Sequence, residues 1–101
     1  MVSQLRIYTI KPDGMDPWLK MFKETTVPLH QRYGIPVERA WVTTDGRQFV
    51  WVRNFRSEDS IEEQERGYYG SPERLALGDE PMLYIEKMEV RIVSSIYERD
   101  A

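Results

Sequence analysis

The chain has 101 residues, of which 41% are hydrophobic and 31% charged, a balance that fits one folded domain with a two-layer core and not a disordered segment. Its net charge of -3, with no cluster of Lys and Arg, excludes a surface built to displace counterions from nucleic-acid phosphates. With no cysteine there is no disulfide framework, thiol nucleophile or thiolate metal site, which fits a reducing compartment.

The N-terminal MVSQLRIYTI lacks a basic region followed by a long apolar run, so it reads neither as a signal peptide nor as a membrane span. The cytoplasm is the expected compartment. Within it, QLRIYTI (4–10) is rich in β-branched and aromatic residues and ends at the turn-forming KPDG, which predicts a first strand. Asp16 followed by Pro17 predicts an N-cap and a first-turn proline. From there Leu19, Phe22, Thr26, Leu29 and Tyr33 recur at spacings of three and four, and Gly34 is placed to end the helix. Inside that helix, TTVPLHQRYG sets β-branched residues and Pro28 ahead of the chain's one histidine, His30. Pro28 cannot donate to the Glu24 carbonyl, so a bend is expected there that re-aims the last turn of the helix.

VERAWVTT and RQFVWVRNF flank Asp45-Gly46, a dipeptide suited to a type I′ hairpin turn. A two-residue loop would set Val42 opposite Phe49, Ala40 opposite Trp51 and Glu38 opposite Arg53 on one face. Trp41 would then face Val50, and Arg39 would face Val52, on the other. Both faces carry large apolar groups and both are expected to be covered. Ser57 and Ser60 are candidate caps of a second helix starting near 58 to 61, with Ser60 and Glu63 at capping-box spacing and EEQER as a solvated face. GSP at 70–72 breaks it, and PERLALG forms a short second piece anchored by Leu75 and Leu77. A last strand from about Met82 carries Met82, Tyr84, Met88, Val90, Ile92 and Ile96 on one face, long enough to continue onto a second copy of the sheet.

The element order is therefore βαββαβ. Arg6, Tyr8, Lys11 and Pro12 in the first strand and its turn, Pro28-Leu29-His30 with Gly34, Trp41, and the run Arg53, Phe55, Ser57 succeed one another at the spacing of a known family. Over residues 4 to 74 the chain resembles the NIPSNAP family of dimeric α+β barrels. The resemblance implies an α+β, ferredoxin-like subunit: an antiparallel four-stranded sheet with two helices on one face, which pairs with a second subunit as a homodimer. It settles no biochemical role.

On the helical wheel His30 sits at the margin of the apolar stripe, sheltered, where a neutral imidazole could exchange a proton near pH 7 or could simply bond a backbone carbonyl or tyrosine. Tyr8, Trp41, Trp51, Tyr68 and Tyr69 are candidate walls of a cleft between sheet and helices, or core. Arg6 and Arg53 are charges in strand interiors: Arg53 could pair with Glu38, and Arg6 with His30 could bind an anion such as a carboxylate. No metal site is expected, because there is one histidine and no clustered Asp pattern, and no cofactor is expected, because KPDGMDP lacks a phosphate-binding glycine spacing. Three functions stand as expectations: binding of a small hydrophobic or carboxylated organic molecule, cofactor-independent catalysis of the monooxygenase, cyclase or isomerase type with His30 as acid/base, or a scaffold without a pocket.

Overall fold

In VSQLRIYTI the alternation of side chains sorts Gln4, Arg6, Tyr8 and Ile10 to one face, all buried, and Ser3, Leu5, Ile7 and Thr9 to the other, all half-buried. A computed structural model describes residues 2–99 and makes this segment strand β1 (Val2–Ile10). With β2 (Val37–Val42), β3 (Gln48–Phe55) and β4 (Ile85–Val93) it forms a four-stranded sheet in the order β2-β3-β1-β4, with antiparallel neighbours. That is the expected α+β, ferredoxin-like arrangement. Among the described residues no helix is long and apolar enough to cross a membrane.

One face is covered by helices. Trp18, Met21 and Phe22 pack onto Tyr8, Phe49 and Trp51, and a second cluster joins Leu29, Ile35, Phe55 and Tyr68. The rings of the first cluster meet mostly edge to face, with Phe22 and Phe49 centroids 4.7 Å apart and Trp18 and Phe49 5.4 Å apart. The opposite face is helix-free and carries Leu5, Ile7, Val50 and Val52 in register. The expectation that both faces are covered therefore holds for one face only within the described chain.

The first helical segment is α1 (Met15–Met21), a π turn (Phe22–Thr26) and α2 (Val27–Arg32). Its N-cap is Gly14 and not Asp16, which lies inside the first turn. A Cβ at Gly14 would stand 3.0 Å from the Lys11 carbonyl oxygen, so the close turn favours glycine there. Where a simple kink at Pro28 was expected, the chain widens by one residue: the Val27 N–H reaches back to the Phe22 carbonyl. The inserted residue lets the stripe run through the proline, so that Trp18 and Met21 before it, and Leu29 and His30 after it, are all buried.

The hairpin keeps the expected register at Val42–Phe49, Trp41–Val50, Ala40–Trp51 and Arg39–Val52. It departs at both ends. Asp45 does not take a positive φ; the Gly46 N–H bonds the Thr43 carbonyl (2.8 Å), Gly46 takes φ 73° and Thr43 pairs with Gln48 (2.9 Å), so the loop is longer than a type I′ turn. At the far end a register shift between Val37 and Arg39 sets Val37 opposite Arg53, and the Glu38 carboxylate accepts instead from Asn54 Nδ2 (3.2 Å). Glu38 is not the partner of Arg53.

A 3₁₀ turn (Glu58–Ser60) leads into α3 (Ile61–Tyr69), and α4 (Pro72–Ala76) comes after the break at Gly70. The Ser60–Glu63 capping box is not made; Ser57 and Ser60 hydroxyls bond each other at 2.8 Å. Ser71 does cap α4, accepting from the Arg74 N–H at 3.2 Å. Leu77 packs into the second cluster, but Leu75 is 65% exposed and anchors nothing. Met82 and Tyr84 lie in a second 3₁₀ turn (Glu80–Tyr84), β4 begins at Ile85, and Ile96 lies beyond its end and is 99% exposed.

Candidate functional site

The register of β1 and β3 sets Gln4 opposite Arg53, Arg6 opposite Trp51 and Tyr8 opposite Phe49 on the helix-covered face. Two buried cations thus face two helices. Arg53 is fully buried and uses its whole fork: Nε donates to Gln4 Oε1 (2.8 Å), Nη1 to His30 Nε2 (3.0 Å) and to the Tyr69 hydroxyl (3.2 Å), and Nη2 to Glu65 Oε2 (2.6 Å). Its plane lies over the rings of Trp51 and Phe55 at 5.6 and 5.3 Å.

That arrangement fixes the state of His30. A guanidinium can only donate, so Nε2 must be the acceptor, the proton sits on Nδ1, and Nδ1–H donates to the Thr26 carbonyl at 2.9 Å. Burial, then the Arg53 charge, hold its pKa down at about 3. Contrary to the expectation of proton exchange near neutrality, the ring is neutral at pH 7 with both nitrogens engaged. Its ring lies 4.1 Å from that of Tyr68, whose hydroxyl is pushed up to about 12, chiefly by burial.

Arg6 is 8% exposed and differently placed. Nε donates to the Tyr8 hydroxyl (2.6 Å), Nη1 to the same Gln4 Oε1 that serves Arg53 (2.8 Å), and Nη2 reaches only the Met88 sulfur, a weak acceptor, at 3.5 Å. Among the described residues no carboxylate lies at ion-pair distance from it. Burial lowers its pKa, but Tyr8, Tyr69 and the more distant Glu65 together raise it above the ordinary value, so it stays cationic.

These side chains surround a cavity of about 80 Å³ between sheet and helices, lined by Arg6, Tyr8, His30, Trp51, Tyr68 and Tyr69 from the sequence-derived set. Arg74, Met82 and Met88 line it as well. Trp18 and Trp51, both in its wall, hold buried indole N–H groups with no acceptor among the described residues. Around it, Arg6, Arg53 and Arg74 outnumber Glu65, so the site is electropositive in an acidic protein.

Trp41 does not belong here. It stands on edge strand β2 in register with Val50, on the helix-free face, 43% exposed, with the Arg39 guanidinium 5.3 Å from its ring. Arg53 lies beneath the cavity wall, ordered by Glu65 and His30. Sequence reasoning missed Gln4 and Glu65. Gln4 shares the period-two face of Arg6 and Tyr8, a legible signal. Glu65 lies three and four residues before Tyr68 and Tyr69 on one helix face and is half-buried, which removes it from the solvated run EEQER; Gln64 is buried and bonds the Arg56 N–H and the Gly34 carbonyl.

The NIPSNAP family model matches residues 3–96. The chain belongs to the NIPSNAP family. An uncharacterized NIPSNAP domain protein from Burkholderia xenovorans is 17% identical with a TM-score of 0.84, the match covering 99% of this chain and 100% of that one. A NIPSNAP family protein from Agrobacterium tumefaciens is 23% identical, TM-score 0.82, over 92% and 90% of the two chains. A candidate antibiotic biosynthesis monooxygenase from Nitrosomonas europaea shares 11% identity, TM-score 0.71, over 96% and 100%. At such identities these likenesses carry the fold alone. No curated protein matches this NIPSNAP chain.

Proposed function

We propose that this NIPSNAP protein binds a small carboxylate-bearing organic molecule in the sheet–helix cavity, with Arg6 as the counter-ion of the carboxylate. The observation that carries the reading is the buried Arg6 guanidinium, which lines the cavity and has a thioether as the partner of Nη2. An unpaired buried charge is costly, and an anion within the cavity offsets that cost. Arg53 already has Glu65 and so serves as a scaffold for the His30 ring and for the Tyr69 hydroxyl, whose O–H can donate to the ligand. The neutral, doubly engaged His30 suits binding better than acid/base chemistry.

The binding unit on this reading is a homodimer, joined through the helix-free sheet face where Leu5, Ile7, Val50 and Trp41 form an apolar surface.

Calorimetric titration with propionate and its neutral isostere propionamide tests the carboxylate. A hydrogen bond to a charged group contributes about 1.5–3 kcal/mol, or roughly 10- to 100-fold. Propionate should bind by at least the lower factor more tightly than propionamide, and Arg6→Gln should erase the difference. Equal binding of acid and amide by the native chain would sink the proposal.

A further inference from the structure

Resting on the reading of Arg6 as a carboxylate site, we infer that the ligand is an amphiphilic acid whose carboxylate enters the cavity while an apolar tail leaves it over Tyr69 and Met82 onto the α4–3₁₀ segment. A cavity of about 80 Å³ is roughly half the ~150 Å³ that holds a benzene molecule, so it takes a carboxylate and one or two carbons. Anything larger must project outward.

The way out is identifiable, because two residues that line the cavity are also open to solvent: Tyr69 is 38% and Met82 50% exposed. Leu83, 59% exposed, follows Met82 in the 3₁₀ turn, and Leu75, 65% exposed, stands on α4. On this proposal Tyr69, Met82, Leu83 and Leu75 are the ridge along which the tail lies. The opposite orientation, with the carboxylate at Arg74 by the mouth and the tail inside, would seal the Arg6 guanidinium against hydrocarbon with no counter-ion, the costliest arrangement available. Carboxylate in and tail out satisfies both the buried charge and the exposed ridge.

The test is a calorimetric series of straight-chain acids, butyrate through decanoate, below their critical micelle concentrations. Full burial of a methylene gives about fourfold in affinity. A ridge that covers one side of the chain should give about twofold per methylene, or about 60-fold from butyrate to decanoate. Leu75→Ser with Leu83→Ser, neither of which lines the cavity, should flatten that slope while leaving butyrate affinity within about twofold. Decan-1-ol, measured on the native chain and needing no variant, should bind at least about 10-fold more weakly than decanoate. A flat series, with propionate still preferred over propionamide, overturns the tail and leaves the carboxylate reading standing. A slope untouched by the double serine variant, or equal binding of decanol and decanoate, places the chain elsewhere and also overturns it. If no acid binds, both readings fall.

Discussion

His30 sits in TTVPLHQRYG, behind a run that a helix would not choose for stability, and its environment gives that placement a meaning in terms of protons. The folded pKa of about 3 lies below the ordinary value of 6.5, so the unfolded chain takes up a proton that the folded one refuses. Stability is therefore full above pH 6.5 and declines as pH falls toward 3, by at most about 1.4 kcal/mol per pH unit. The groups facing the ring from other elements, Arg53, Arg6 and Arg74, are cations throughout that range and oppose its protonation. Ordinary carboxylates titrate below about 4.5, so the interval from pH 6.5 to 5 isolates the histidine. Unfolding free energies from urea titrations at pH 7 and pH 5 should differ by about 2 kcal/mol in the native chain, with the midpoint lower at pH 5. His30→Gln, which can donate to Thr26 and accept from Arg53, should narrow that difference to near zero. Identical native midpoints at the two pH values would mean that the histidine is not linked to folding.

Helix and proline together illustrate what an element can absorb. Pro28 has no N–H and its ring would collide with the carbonyl four residues back, a conflict worth about 3 kcal/mol in a regular helix. The π turn at Phe22–Thr26 removes the conflict by inserting one residue, which leaves Trp18 and His30 facing the same core. Excising Thr25 should therefore cost about 3 kcal/mol while Pro28 remains and much less in combination with Pro28→Ala, because the excision then yields an ordinary α-helix in the same phase. Thermal unfolding of the two deletions decides the matter; equal losses would detach the π turn from the proline. The broad elements were legible because period-two and period-3.6 patterns are local. The hairpin register was legible between Val42 and Arg39 for the same reason. What escaped was set at a distance, namely the register shift that took Glu38 from Arg53 and the partnership of Arg53 with Glu65 across twelve residues of chain, or, at Asp45-Gly46, by the local bonds of Thr43 to Gly46 and Gln48 that favour a longer loop over a two-residue turn. Of the candidate site, the convergence of Arg6, Tyr8, His30, Trp51, Tyr68 and Tyr69 came from strand and helix phase. Trp41 did not join them because Ala40 is the residue of β2 opposite Trp51, and the alternation sends Trp41 to the other side.

Across the whole molecule the two sheet faces divide the work, one holding the polar cavity under helices and the other an apolar surface free of them. If the second face joins two copies, a charge placed at its centre must break the pair. Ile7→Lys should elute as a monomer in size-exclusion chromatography and should remove the dependence of the melting temperature on protein concentration expected of the native chain. A native chain that is monomeric at all concentrations would contradict the homodimer directly. The distribution of tryptophans over those faces has an optical consequence. Trp18 and Trp51 sit in the cavity wall, 2% and 3% exposed, whereas Trp41 is 43% exposed on the far face. Their emission is separable by wavelength, with the buried pair to the blue and Trp41 to the red. A molecule entering the cavity should alter the intensity of the blue component, while covering of the sheet should shift the red one. The native chain thus carries its own pair of reporters, one for each face, with no label to attach.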